Sequence, residues 1–200
     1  MDDELPLFPL RTVLFPGGRL ELRIFERRYL DLVTYCLRND NTGFGICLIE
    51  NGGEAGLPAR PHAVGTEVRI IDWDQRSDGL LGITVEGQRR FEILERQTPT
   101  GKVQQAQVRW LTDPPAPQLD AELRPLADLL ERILDQIGGL YGAMPRQLDD
   151  AGWVSARLSE LLPIPTEAKQ QLLEIDAPEE RLELLRRALE QDSPPRGDAD

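Results

Sequence analysis

Two cysteines, one histidine and two lysines in 200 residues leave little from which to build most catalytic or metal centres. Cys36 and Cys47 are too few for a disulfide framework, and both read as reduced, packed side chains. His62 is the only histidine, directly after Pro61 in a loop, so no multi-histidine metal site can form, and two distant cysteines do not complete a zinc set. No run approaches the roughly 20 apolar residues that span a bilayer. The acidic start, Met1-Asp2-Asp3-Glu4, argues against a signal peptide, and a cytoplasmic protein is expected. A basic footprint is also missing. The formal net charge is −12, and residues 1–113 carry 14 Lys and Arg against 17 Asp and Glu. The remainder carries 9 against 18. Nucleic-acid binding at domain scale is disfavoured by that balance.

Catalytic signatures are equally scarce. The only Gly-Lys pair, Gly101-Lys102, is followed by valine, so there is no phosphate-binding loop. Neither G-x-S-x-G nor H-E-x-x-H occurs. Ser159 and Lys169 fall on different helical segments, which gives a Ser/Lys dyad no support. Asp72 and Asp74, two apart on a strand, could share a face, but with no further ligand nearby they read as a solvated pair near a hairpin end. Asp149-Asp150 reads the same way. No catalytic, metal-binding or cofactor-binding residue is nominated, and no cofactor is expected.

What the chain does have is a proline-punctuated opening, Leu5-Pro6-Leu7-Phe8-Pro9-Leu10-Arg11-Thr12-Val13-Leu14-Phe15-Pro16-Gly17-Gly18. Three prolines exclude a helix, because each removes an N–H donor and clashes with the preceding turn. Short strands tolerate them at ends and edges. Phe15-Pro16-Gly17-Gly18 signals a tight corner, after which Leu20, Leu22 and Ile24 alternate. Glu26 to Leu37 has the spacing of a helix, stopped by Asn39-Asp40-Asn41-Thr42-Gly43. Phe44–Ile49 predicts a strand, and 51–63 a loop. Strands follow at 65–73 and 81–93, joined by the Arg76-Ser77-Asp78-Gly79 turn. Gly87 marks a bulge or bend in the second of these. A last strand covers Val103–Leu111. Three prolines at 114–117 then make a stiff linker. Four helices are expected beyond it: a leucine stripe from Leu119 to Ile137 ended by Gly138-Gly139, one capped by Asp150, one by Thr166, and one opened by Asp176-Ala177-Pro178-Glu179.

Leu5 to Leu30, with its "LPLFPLRTVLFPG" and "LRIFE.RY" wording, resembles the N-terminal domain of Lon proteases, and especially its short stand-alone bacterial relatives. Val64-Gly65-Thr66 and Val85-Glu86-Gly87-Gln88-Arg89-Arg90-Phe91 look like two further signatures of that domain. The stretch from Leu161 to Leu182 is similar to its helical part. The resemblance implies an α+β fold: a PUA-like β pseudo-barrel with one inserted helix over 1–113, a linker at 114–118, a four-helix subdomain at 119–192 and a disordered tail at 193–200. It implies a non-catalytic protein that binds unfolded or extended polypeptide, by strand addition at a sheet edge, with a protease or chaperone as a further partner and no ATPase or peptidase of its own. Candidate contacts are Arg27 and Arg28 at the first helix, and Tyr141 and Met144 in the 138–145 hinge. The rival readings are an RNA-binding PUA-like module using Arg89 and Arg90, and an enzyme with an unrecognised small-molecule pocket.

Overall fold

The computed structural model describes residues 3–54, 59–99, 101–112, 117–142 and 144–192. The 193–200 tail and most of the 114–118 linker lie outside them. The chain divides into two compact units: Met1–Asp113 with Pro163–Glu174, and Pro114–Leu162 with Ile175–Asp200.

The first unit is a mixed, mainly antiparallel seven-stranded sheet with two helices. Its strands are β1 (Asp3–Leu10), β2 (Arg19–Ile24), β3 (Phe44–Asn51), β4 (Arg60–Pro61), β5 (Val64–Gln75), β6 (Leu81–Gln97) and β7 (Gln104–Trp110). Its helices are α1 (Arg27–Arg38) and α5 (Thr166–Glu174). The order is β1-β7-β6-β5-β3-β4; β1 also pairs with β3, and β2 with β6. The pairings β1–β7–β6–β5–β3–β1 therefore close on themselves. The prolines of the opening run find their place here. Strand β1 pairs antiparallel with β7 over Asp3–Leu7 and parallel with β3 over Leu7–Leu10, changing partner at Leu7. Each half is paired along one side, so Pro6 and Pro9 sit where a missing N–H need not break a ladder.

Successive residues of β1 serve different clusters, as a period of two requires. Leu5 and Leu7 pack with Cys47, Phe91, Ala106 and Val108. Phe8 and Leu10 pack with Leu14, Ile24, Phe44, Ile46, Val68 and Val85. Helix α1 adds Tyr29, Leu32, Val33 and Cys36 to the latter cluster. It ends where Asp40 and Asn41 adopt φ of 51° and 53°. The corner is clipped to the sheet: Gly17 N–H donates to Gly87 O and Gly87 N–H to Gly18 O, both at 2.8 Å, and Thr66 Oγ donates to Leu14 O at 2.6 Å. Between the Thr66–Arg90 and Val68–Gly87 pairs, β6 sets two residues against one and so carries one extra residue, and the irregularity falls at Gln88-Arg89, just beyond Gly87. Residues 51–63, expected as a loop throughout, contain the short β4.

Helix α5 groups with the sheet, apart from the helices on either side of it in sequence. Its Gln170 Nε2 donates to Val64 O at 3.1 Å, and the buried Arg90 of β6 donates to Leu173 O at 2.8 Å. These bonds supply a physical reason why 163–174 leave the continuous subdomain expected over 119–192.

The second unit contains α2 (Arg124–Ile137), the short α3 (Gly139–Gly142), α4 (Ala151–Leu161) and α6 (Pro178–Asp192). Pro125 falls in the first turn of α2, where its absent N–H is unneeded. Asp150 caps α4 by accepting from Trp153 N–H at 2.7 Å. Helix α4 packs against α2 and α6, with Leu130, Leu134, Val154, Leu158, Leu182 and Leu185 buried. Among the described residues no helix is long and apolar enough to cross a membrane.

Candidate functional site

Part of β5 has no strand on its outer side among the described residues. Strand β5 pairs with β3 only through Thr66–Val68, whereas its pairing with β6 continues to Gln75 opposite Leu81. At Ile70 the free edge is closed by a side chain: Asn41 Nδ2 donates to Ile70 O at 2.7 Å, and Asn41 Oδ1 accepts from Ile70 N–H at 3.3 Å. Beyond it the ladder shifts register at Ile71, and Ile71 through Gln75 are all exposed. No strand flanks their outer edge among the described residues. Trp73 N–H is taken by the Asp72 carboxylate at 2.8 Å. Two large apolar side chains stand on this arm, Trp73 at 62% exposure and Ile71 at 45%.

The arm belongs to a three-stranded ribbon. Leu22, Ile83 and Trp73 lie in one row across β2, β6 and β5; Glu21, Thr84 and Asp72 form the next, and Arg23, Gly82 and Asp74 the one after. Adjacent rows face opposite sides. A groove of about 380 Å³ lies here, lined by Glu21, Asp72, Trp73, Asp74, Arg76 and Thr84. Gly82 keeps it open: a Cβ there would stand 2.4 Å from Asp74 Oδ1.

The four candidate contacts do not converge on this arm. Arg27 is exposed and pairs with Asp31 at 3.4 Å along α1. Arg28 is mostly buried; it bridges to Glu26 at 3.0 Å, reaches Glu54 O at 3.5 Å, and lies over the Tyr29 ring at 4.7 Å. That arrangement holds the start of α1 to the 52–54 loop. Tyr141 and Met144 belong to the other unit. Met144 is buried, and Tyr141, half-buried, donates its hydroxyl to Glu160 at 3.1 Å.

The basic pair behind the RNA reading is also taken up. Arg90 is fully buried. Arg89 pairs with the buried Glu67 at 2.8 Å and stacks over Trp110. Of the groups weighed for nucleophilic chemistry, Ser159 donates to Ser155 O at 2.7 Å within α4. Burial raises the Cys36 thiol to about 11 and pushes Cys47 up as well, so both stay protonated near neutrality. Among the described residues no cluster of three or more His, Cys, Asp or Glu could hold a metal ion.

Sequence signals could have singled out the arm. Ile71-Asp72-Trp73-Asp74 interrupts the alternation of β5 by placing large apolar and acidic residues next to a turn. Its lack of a flanking strand depends on where β3 begins against it, which is tertiary information.

The first unit is thus a mixed sheet whose β5 arm is open on its outer side, and comparison with known proteins supplies the family. Residues 4–191 match the model of the ATP-dependent protease La (LON) substrate-binding domain, and the chain belongs to that family. It is similar to a solved Lon N-terminal domain protein from Xanthomonas campestris, at 41% identity and a TM-score of 0.77, covering 92% of this chain and 98% of that one. The N-terminal domain of a Mycobacterium avium complex Lon protease shares the fold at 15% identity and a TM-score of 0.66, covering 96% and 100%. Lon proteases of Anaeromyxobacter dehalogenans and Cytophaga hutchinsonii are 24% and 27% identical over 90% and 94% of the chain. The chain spans only 22% and 24% of those two relatives' length.

Proposed function

We propose that this chain is a non-catalytic polypeptide-binding protein, working as a substrate-recognition or adaptor module in the cytoplasm and in association with a protease. The unpaired outer arm of β5, carrying exposed Trp73 and Ile71, is the observation that carries this reading. An extended segment laid beside it would gain backbone hydrogen bonds from the edge and side-chain contact with Trp73. The family supports a polypeptide-binding role, and the closed circuit of strand pairings supports a PUA-like pseudo-barrel as its scaffold. Arg27, exposed at the start of α1, is retained as a secondary contact.

The test is fluorescence anisotropy of a labelled, reduced and carbamidomethylated unfolded protein titrated with the full chain. Trp73→Ala should weaken binding by roughly tenfold or more, as loss of an exposed aromatic anchor typically does. Leu184→Ala, at an exposed apolar position of α6, should leave it unchanged. Equal loss in both variants, or no binding by the parent chain, would end the proposal.

A further inference from the structure

From the charge on the groove we infer that the polypeptide favoured by the β5 arm is an extended basic segment, with Lys or Arg on either side of an apolar residue. This rests on the reading of that arm as a polypeptide-binding edge.

Glu21, Asp72 and Asp74 line the groove against one guanidinium, that of Arg76. None of the three carboxylates has a cationic partner among the described residues, whereas several other carboxylates of this unit do. Glu86 pairs with Arg19, Glu67 with Arg89 and Arg69, Glu92 with Arg109, and Asp78 with Arg23. Negative charge without a cationic partner thus lies beside an open strand edge.

Strand geometry converts that charge into a pattern. Asp72 and Asp74 are two apart and share the groove face, while Trp73 between them faces the other way. A strand added to the outer edge would place residues at matching two-residue spacing directly opposite them. Basic groups at those two positions meet the carboxylates, and the residue between meets Trp73.

The same pattern disfavours a second copy of this chain. An antiparallel pairing of two β5 arms centred on Asp72 sets that carboxylate against itself. Centring on Trp73 sets each Asp72 against the other copy's Asp74, and centring on Asp74 again opposes like charges. Like charges directly opposite are destabilising.

Three nine-residue peptides, alike except for a central Lys-Val-Lys, Glu-Val-Glu or Gln-Val-Gln, would be titrated with the full chain at low and high salt. The Lys peptide should bind roughly five- to tenfold tighter than the Gln peptide at low salt, as expected for two cross-strand charge pairs, with the margin shrinking as salt rises. Asp72→Asn with Asp74→Asn keeps the acceptor for Trp73 N–H and should erase the margin. Asp72→Lys with Asp74→Lys should transfer the preference to the Glu peptide. Equal binding of all three peptides by the parent chain would overturn the charge inference while leaving polypeptide binding intact. A Lys preference that survives the Asn substitutions would overturn it by placing the site elsewhere. Failure of every peptide and of the unfolded protein would remove the polypeptide reading itself. A concentration-dependent dimer in sedimentation, dissolved by Trp73→Ala, would overturn it by assigning the edge to a second copy.

Discussion

Gly87→Ala tests how the opening corner is held to the sheet. The added Cβ would stand 2.4 Å from the Phe15 carbonyl oxygen, and ordinary contact begins at 3.4 Å. The corner or the strand must therefore give by about 1 Å in a region packed at interior density. Gly87 also exchanges backbone hydrogen bonds with Gly17 and Gly18 at 2.8 Å, and a displacement of that size carries both out of range. Overpacking of a core costs about 1–3 kcal/mol. Each hydrogen bond left unmade adds about 1 kcal/mol or more. The expected loss is about 3–5 kcal/mol, a large share of the roughly 5–15 kcal/mol typical of a domain. Urea unfolding followed by circular dichroism should show the midpoint fall by roughly 1.5–2.5 M for a slope near 2 kcal/mol/M. Gly79→Ala is the control, since a Cβ there meets nothing within 4 Å and only its φ of +82° is strained. That strain costs about 1–2 kcal/mol. Should Gly87→Ala lose no more than Gly79→Ala, the clip between corner and sheet is not what holds this region.

The remaining predictions concern titration and exposure. A hydrogen bond from Arg186, followed by one from Arg187, holds the Glu183 carboxyl down to about 2 against a usual 4.5. A depressed carboxylate contributes stability above its unfolded pKa and loses it as pH falls through the folded one. The contribution of α6 should therefore decline between about pH 4.5 and pH 2, and Glu183→Gln should flatten that part of a thermal-melt profile. Cys36 and Cys47, both buried and held protonated, should resist a thiol reagent at pH 8 in the native protein and react promptly in urea. Fast native labelling of either would contradict their placement.

Much of the first unit was legible because local rules agree with its tertiary structure. The Phe15-Pro16-Gly17-Gly18 corner needs its punctuation, with Gly17 at φ 73°, and the turn residues after α1 adopt the left-handed backbone their types favour. Asp150 caps α4 as its residue type suggests. Features set by distant partners were not legible. Arg90 reads as half of an exposed basic pair, yet the carbonyl of Leu173, 83 positions away, draws it inside. Helix α5 has the sequence of any bundle helix, and bonds to Val64 and Arg90 group it with the sheet. Met144 follows a glycine-rich hinge and is buried nonetheless. Asp72 and Asp74 were recognised as sharing a face, but they gain meaning only because β3 begins at Phe44, the partner of Val68, and leaves the arm beyond without a flanking strand.

The most direct test of the central claim is amide hydrogen exchange of the full chain with and without the unfolded, carbamidomethylated protein at saturation. Added-strand pairing predicts slower exchange at Ile71–Gln75 on binding, with the α6 amides unchanged. Binding with no slowing at Ile71–Gln75 would contradict it.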